Sequence, residues 1–219
     1  MSLAKRLAEV EDRIAAAAEA AGRDRSEITL VAVSKTFPAE FAAEAVAAGV
    51  TDLGENRAQE LRDKTAASLP VRWHFVGHLQ TNKVRWVVGK CALIHSIDSE
   101  SVAEAVAARA ATSDLVQEVL VEVNVSGEAS KHGVAPSQVG ALLECARALE
   151  GIEVTGLMTI PPWPETPEDA RPFYRELASL AAEHGLERLS MGMTRDFEVA
   201  IAEGATLVRV GEAIFGARR

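Results

Sequence analysis

The sequence of 219 residues contains little cysteine and no excess of basic residues. Its two cysteines, Cys91 and Cys145, form no CxxC pair, so a disulfide framework is not indicated and a reducing cytoplasm is expected. The formal net charge of −9 argues against sequence-independent nucleic-acid binding, which needs a basic face that neutralises phosphates. The same negative charge argues against docking on an anionic membrane surface.

Long apolar runs are also missing. No run approaches the length of a membrane-spanning helix, and charged residues between Lys5 and Arg13 interrupt the stretch where a secretory signal would lie. Apolar residues make up 48% and charged residues 25% of the chain, which is the balance of a globular protein. We therefore expect a cytoplasmic protein built from one large α/β domain or two small ones.

What the sequence does contain is a regular alternation of strand and helix patterns. An amphipathic helix is predicted over residues 2–22, because Leu3, Leu7 and Val10 recur at three- and four-residue steps and Gly22 can end the helix. Strands are predicted at 28–35, 52–55, 71–77, 92–97, 117–125, 152–159, 188–192 and 206–210. Helices are predicted between them at 39–49, 56–67, 82–88, 99–112, 136–149, 167–184 and 195–203.

Eight strands with a helix in nearly every gap favour a closed (β/α)8 TIM barrel. Many strands are apolar and β-branched on both faces, as in VLVEVNV, which is typical of a parallel sheet covered by helices. An open doubly wound sheet would also fit the alternation, but no linker or low-complexity tract divides the chain. We therefore predict a single α/β domain over residues 1–219, with an extra N-terminal helix and a functional site at the carboxyl ends of the strands.

A lysine stands at the end of the first predicted strand, in the stretch LVAVSKTFP. Lys35 either points into solvent or faces a pocket at the barrel mouth. Partial burial at the mouth would disfavour the ammonium form and free the amine as a nucleophile toward carbonyl groups. Lys35 is therefore a candidate for Schiff-base chemistry that needs a partner site to support it.

The C-terminal stretch SMGMTRDFEVAIAEGATLVRVGEAIFG supplies a candidate phosphate site. Thr194 precedes a helical pattern and is a good N-cap residue, with Ser190 and Gly192 just before it. Backbone N–H groups at that helix start, and around Gly211 and Glu212, can hold a phosphate. The loops after strands seven and eight are a standard phosphate site of this fold, although ordinary capping would also explain the pattern.

Arg209 lies within the last predicted strand among apolar neighbours, where an arginine needs a partner. The partner is either a carboxylate across the barrel, such as Glu122, or a ligand. A phosphate site beside a reactive lysine fits two ligand classes. One is a phosphosugar handled by an aldolase-like lysine, and the other is pyridoxal 5′-phosphate (PLP), which brings its own aldehyde and phosphate.

Seven ordered blocks of the sequence carry a family resemblance: VAVSKTFP, GENRAQE, WHFVGHLQTNK, IHSIDS, VEVNVSGEASKHGV, GLMTIPP and the C-terminal stretch quoted above. In this order they resemble the blocks of the pyridoxal phosphate homeostasis protein family, also called the YggS-like or proline synthase co-transcribed family. The resemblance covers almost the whole chain, and an ordered set of blocks is more specific than a single motif. Family members are similar to the N-terminal barrel domain of alanine racemase, which is the PLP fold type III.

The resemblance implies a role for each candidate residue. Lys35 matches the lysine that forms the Schiff base with PLP, and Arg209 matches the arginine that faces the pyridine nitrogen. Thr194 and the backbone of Gly211 and Glu212 match the phosphate cradle. The other matched positions either neighbour this cradle or line the cofactor pocket: Ser190, Gly192, Asn56, His78 and Met158. Neither a metal site nor a certain catalytic residue is implied.

Two positions of the phosphate cradle depart from the family pattern. Thr194 stands where serine is common, and the hydroxyl group is kept. Glu212 stands where a small hydroxyl residue is frequent, and its carboxylate would repel a phosphate. We therefore expect only the backbone N–H of Glu212 to face the ligand.

The resemblance implies a monomeric PLP-binding protein that serves PLP homeostasis, supplies PLP to apo-enzymes and has no robust turnover. A guanidinium beside the pyridine nitrogen discourages protonation of the ring, and an unprotonated ring is a poor electron sink. This chemistry favours a carrier over a catalyst. Neither nucleic acid nor a membrane is an expected partner.

The alternative is a PLP-dependent amino-acid racemase, which needs acid–base groups on both faces of the bound substrate. In alanine racemase a tyrosine from the second domain of a partner subunit serves one face. We expect that domain to be missing here, since the barrel pattern runs almost to Arg219, and the only tyrosine, Tyr174, falls in a helical pattern of the outer ring. A phosphosugar lyase would leave Arg209 and the ordered blocks unexplained.

Overall fold

The computed structural model describes residues 1–216, in which eight parallel strands form a closed barrel in the order β1 to β8. Each strand pairs with the next one along the chain, and β8 closes the barrel on β1, with Leu30 opposite Val208. This closure confirms the predicted (β/α)8 barrel and excludes an open doubly wound sheet. The strands are β1 Thr29–Val33, β2 Asp52–Glu55, β3 Arg72–Phe75, β4 Leu93–Ile97, β5 Gln117–Glu122, β6 Ile152–Met158, β7 Arg188–Ser190 and β8 Leu207–Val210.

Helices follow the strands on the outside of the barrel, as the alternation predicts. The stretch predicted as a helix at 82–88 is instead a 3-10 helix at Thr81–Trp86, and three shorter 3-10 helices lie at Arg25–Glu27, Pro136–Gln138 and Pro167–Ala170. The α-helices are α1 Leu3–Ala20, α2 Ala39–Ala47, α3 Ala58–Thr65, α4 Glu100–Ala111, α5 Val139–Arg147, α6 Arg171–Glu183, α7 Phe197–Ala202 and α8 Glu212–Phe215. No helix within residues 1–216 is both long and apolar enough to cross a membrane.

The additional helix α1 packs on the outer ring beside α7 and α8. Its side chains at three- and four-residue steps are buried, from Leu3 and Leu7 to Ile14, because this spacing places them on one face of the helix. The Ser2 side chain caps the start by accepting from the Lys5 backbone N–H. The Arg6 Nε atom donates to the Ile214 carbonyl oxygen at 2.6 Å, which fixes α1 to the end of α8.

The inside of the barrel has an apolar part and a polar part. The strands are buried on both faces, since helices cover the outer face and side chains fill the interior. The apolar part is a cluster of Val31, Val33, Val76, Leu93, Leu120, Met158 and Leu207. Alternate positions on several of the same strands carry polar groups, such as His95 on β4 and Arg209 on β8, and both are buried. The polar part of the interior leads up to the site described next.

Candidate functional site

A cavity of about 330 Å³ lies at the carboxyl ends of the strands, where the fold predicts a site. Loops after β1, β2, β3, β7 and β8 contribute to its wall, so residues that are distant in the sequence meet here. Seven of the ten residues predicted from the sequence line it: Lys35, Asn56, His78, Thr194, Arg209, Gly211 and Glu212. The other three, Met158, Ser190 and Gly192, lie outside the lining, and the first two are fully buried beneath it.

Lys35 follows β1 at the cavity wall and is half-buried. The next residue, Thr36, has a positive φ of 70°, so the chain turns sharply away after the lysine. The Thr36 N–H donates to the Glu60 carboxylate at 2.8 Å, which ties this turn to α3. Lys35 is thereby presented to the cavity by a turn that is anchored at its far side.

A second lysine, which the sequence analysis did not single out, lies just behind the cavity wall. The Lys64 Nζ atom is buried, 2.5 Å from the Glu55 carboxylate and 2.8 Å from the Ser34 carbonyl oxygen. Burial raises the pKa of Glu55, and the hydrogen bond from Lys64 opposes that rise. Lys64 is engaged by Glu55 and does not line the cavity, whereas Lys35 does.

Arg209 is 5% exposed and reaches the cavity from the barrel interior. Its Nη1 atom donates to the Ser190 hydroxyl at 2.6 Å, and its Nη2 atom donates to the Thr159 carbonyl oxygen at 2.9 Å. The ion pairs found within residues 1–216 do not include Arg209, so the suggested pairing with Glu122 is not formed. The guanidinium is held by hydrogen bonds to neutral oxygens and has no direct ion pair among the described residues.

Glu122 lies at the end of β5, lines the cavity and is 6% exposed. Burial, together with repulsion from Asp98, raises its pKa to about 7, and attraction to Arg209 opposes the rise. A carboxyl group that titrates near neutral pH therefore shares the cavity with a buried cation.

The segment before α7 forms a turn rather than the predicted helix start. Helix α7 begins at Phe197, so Asp196 and not Thr194 occupies the N-cap position. The Asp196 carboxylate accepts a hydrogen bond from the Met193 N–H at 2.7 Å, so the Asp196 side chain closes the turn. Thr194 stands on this turn and lines the cavity. Thr and Asp favour turns as well as helix starts, which is why the prediction was wrong about the cap.

The two glycines of the predicted phosphate site have different surroundings. Gly192 has a φ of 90°, and a Cβ atom there would lie 2.6 Å from the Cβ of Ala200, so this glycine allows α7 to pack closely. Gly211 lines the cavity at the end of β8, and a Cβ atom there would lie 3.0 Å from the Val33 carbonyl oxygen. The backbone at Gly211 is therefore close to the end of β1, which lies just before Lys35 in the chain.

Two further polar residues face the cavity from the other side. The Asn56 Oδ1 atom is buried and has no hydrogen-bond partner among the described residues, which a bound ligand would correct. The His78 Nδ1 atom lies 3.0 Å from the Asp98 carboxylate, and the ring stacks on His132 with centroids 3.8 Å apart and planes 8° apart.

The ring nitrogens of His78 and His132 and a carboxylate oxygen of Asp98 all lie within 4.8 Å of one another. A metal ion requires lone pairs that converge on one point. In two parallel stacked rings the nitrogen lone pairs lie in parallel planes and do not converge. As arranged, this group is a hydrogen-bonded histidine stack at the cavity edge.

The geometry thus defines a class of protein: a barrel with an amine, a buried guanidinium and the backbone of Gly211 around one cavity at the strand ends. The family model "Alanine racemase, N-terminal domain" matches residues 6–219 of this chain. Among curated relatives, a pyridoxal phosphate homeostasis protein of Aquifex aeolicus is 46% identical over 100% of both chains. One from Pseudomonas aeruginosa is 45% identical over 99% of this chain and 96% of its own.

A solved structure agrees with these relatives. PipY of Synechococcus elongatus, with PLP bound, is 33% identical, superposes with a TM-score of 0.85, and covers 98% of this chain and 100% of its own. The chain belongs to the pyridoxal phosphate homeostasis protein family, whose barrel is that of the alanine racemase N-terminal domain. The resemblance found from the ordered sequence blocks is confirmed.

Proposed function

We propose that this protein binds PLP in the cavity at the carboxyl ends of the strands, serves PLP homeostasis and supplies PLP to apo-enzymes. The observation that carries the proposal is one cavity that joins Lys35, Arg209 and the Gly211 backbone. The PLP-bound structure of PipY, which has the same fold over its full length, supports the choice of ligand.

The residues at the cavity fit the chemical groups of PLP. The amine of Lys35, which is half-buried at the cavity wall, would hold the aldehyde as a reversible Schiff base, with release of one water. Thr194 and the backbone N–H groups of Gly211 and Glu212 hold the phosphate. The Glu212 side chain is exposed, which allows its carboxylate to point away from the phosphate into water.

The remaining lining residues orient the ring. Arg209 faces the pyridine nitrogen as a fixed cation, and this arrangement disfavours a second positive charge on the ring. PLP supplies an electron sink when its ring is protonated. Because Arg209 disfavours that protonation, the site favours holding PLP over catalysing a reaction with it. Asn56, with its buried Oδ1 atom, and His78 also line the pocket.

The racemase alternative is not favoured. Racemisation requires a second acid–base group on the far face of the ring. Tyr174, the only tyrosine of the sequence, lies fully buried in α6 and is not part of the cavity lining. Measured exchange of the Cα hydrogen of alanine for deuterium at an enzyme-like rate would restore this alternative.

The test is a visible absorption spectrum of the purified protein with added PLP, followed by borohydride reduction and peptide mapping. We expect a visible band and a pyridoxyl group on Lys35, and no band in Lys35→Ala. The matched control is Lys131→Ala, since Lys131 Nζ bonds the carbonyl oxygen of Ile160 at the same mouth. A band that persists in Lys35→Ala, or a label on another lysine, would contradict the proposal.

A further inference from the structure

A continuous chain of hydrogen bonds crosses the barrel interior from the cavity toward the opposite end. Arg209 Nη1 lies 2.6 Å from Ser190 Oγ, which lies 2.8 Å from His95 Nδ1. His95 Nε2 lies 2.9 Å from His74 Nδ1, and His74 Nε2 lies 2.8 Å from Asp52 Oδ1. All five residues are at most 5% exposed. The chain joins strands β8, β7, β4, β3 and β2, so only a closed barrel assembles it.

The two ends of the chain fix the direction of its hydrogen bonds. A guanidinium only donates, so the Ser190 oxygen accepts from Arg209. An ionised carboxylate only accepts, so His74 donates from Nε2 to Asp52. Burial raises the pKa of Asp52, but hydrogen bonds from His74 and Arg72 outweigh it and hold the pKa below its ordinary value. Arg72 also donates a hydrogen bond to each Asp52 carboxylate oxygen at 2.8 Å, so one cation already balances the charge of this carboxylate.

Only one arrangement of the hydrogen atoms on Ser190, His95 and His74 then gives every donor an acceptor. His74 Nδ1 accepts from His95 Nε2–H, and His95 Nδ1 accepts from the Ser190 hydroxyl. If His95 instead carried a proton on Nδ1, the Ser190 oxygen would receive two donors and its own hydrogen would lose this acceptor. Burial is the first cause that lowers the pKa of His95 well below its ordinary value, in agreement with a neutral ring.

We propose that His95 and His74 are positioning residues: as neutral rings that each carry their proton on Nε2, they orient the Ser190 hydroxyl and, through it, the Arg209 guanidinium at the cavity. Buried polar groups need complete hydrogen bonding to hold one orientation. Because Arg209 has no ion pair within the described chain, its placement depends on Ser190 and on the Thr159 carbonyl oxygen. This inference rests on the proposed function, since PLP is the ligand that Arg209 would contact.

The first test needs no ligand, and the measurement itself is made on the unmodified sequence. Long-range ¹H–¹⁵N NMR of the histidine-labelled protein at neutral pH separates the two neutral tautomers and the imidazolium. We expect His95 and His74 to be neutral with the proton on Nε2, with signals assigned from the His95→Gln and His74→Gln variants. An imidazolium or an Nδ1–H tautomer at either residue would overturn the proposed arrangement.

The second test measures PLP affinity and the position of the visible band in chain variants. Ser190→Ala and His95→Gln interrupt the chain next to Arg209, and we expect each to weaken PLP binding about tenfold, which corresponds to ~1.4 kcal/mol. The matched control is Ser96→Ala, which removes a buried hydroxyl that bonds the Gly77 carbonyl oxygen outside the chain. It is expected to lose comparable stability and to keep PLP affinity within about twofold.

The outcomes separate the two proposals. If Ser190→Ala and His95→Gln bind PLP as tightly as Ser96→Ala does, the positioning role is refuted while PLP binding stands. If the unmodified protein binds no PLP, the proposed function fails, and the tautomers measured without ligand still decide whether the chain exists as inferred.

Discussion

Replacing Glu122 by glutamine tests whether the buried carboxylate at the cavity lowers the stability of the folded protein. In the folded protein Glu122 is 6% exposed at the end of β5, and its pKa is raised to about 7 from an ordinary value of 4.5. The first cause is burial, and the second is repulsion from Asp98. Glutamine has the same shape as the protonated acid and cannot ionise, so the variant removes only the cost of the charge.

The sign and size of the effect follow from these two pKa values. Between about pH 4.5 and pH 7 the folded protein keeps the proton of Glu122 while the unfolded chain loses it, so the free energy of unfolding falls as the pH rises. Above about pH 7 both states are ionised and the full cost remains. Since one pKa unit corresponds to about 1.4 kcal/mol, the free energy of unfolding above pH 7 should be about 3 kcal/mol lower for the native protein than for Glu122→Gln.

The assay is urea unfolding of both proteins at several pH values without added PLP. We expect equal stability near pH 4 and an advantage of about 3 kcal/mol for Glu122→Gln near pH 8.5. The control is Glu153→Gln, which removes a carboxylate from an exposed position of β6 and should change stability by less than about 0.5 kcal/mol at every pH. A difference between Glu122→Gln and the native protein that is independent of pH would refute the reasoning.

Two further predictions concern the frame around the cavity. Lys64→Met leaves the buried Glu55 carboxylate without its cation and should destabilise the protein by about 3–5 kcal/mol at neutral pH. Urea unfolding should show a smaller loss of stability at low pH, where Glu55 takes up a proton. An equal loss at all pH values would count against this role of Lys64. Gly156→Ala would place a Cβ atom 2.0 Å from the Arg188 carbonyl oxygen of the neighbouring strand, so we expect a loss of about 3 kcal/mol or failure to fold. Gly140→Ala in α5, where the nearest atom would be a ring carbon of His184 at 3.4 Å, is the matched control and should be neutral or slightly stabilising by thermal unfolding; similar effects of both alanines would contradict the close approach at Gly156.

The secondary structure was predictable because hydrophobic periodicity is a local property. All eight strands and the helix α1 appear where the pattern placed them, with ends shifted by a few residues. The segment at 82–88 became a 3-10 helix, and the start of α7 moved past Thr194 to Phe197, because a short polar turn has the same residue types as a helix cap. These errors concern ends and connections, where the sequence signal is weakest.

The site was predictable in part. Lys35 and Gly211 follow strands, and the carboxyl ends of barrel strands meet at one face, so their presence at the cavity follows from the order of elements. Lys64 was missed, although its spacing from Ala58 and Leu61 places it on the buried face of α3. His74 and His95 were also missed, and the available signal was a polar residue within an apolar strand.

The sequence by itself determined the alternation of strands and helices, the family and the loops that surround the cavity, because each of these is encoded by local patterns and their order. Tertiary structure alone decided which residues line the cavity and which lie beneath it, as with Met158 and Ser190. It also decided that Arg209 is held by neutral oxygens and that His95 meets a serine 95 residues away. The physical reason is that such contacts depend on how the closed barrel brings distant strands into register, and local periodicity carries no information about that register.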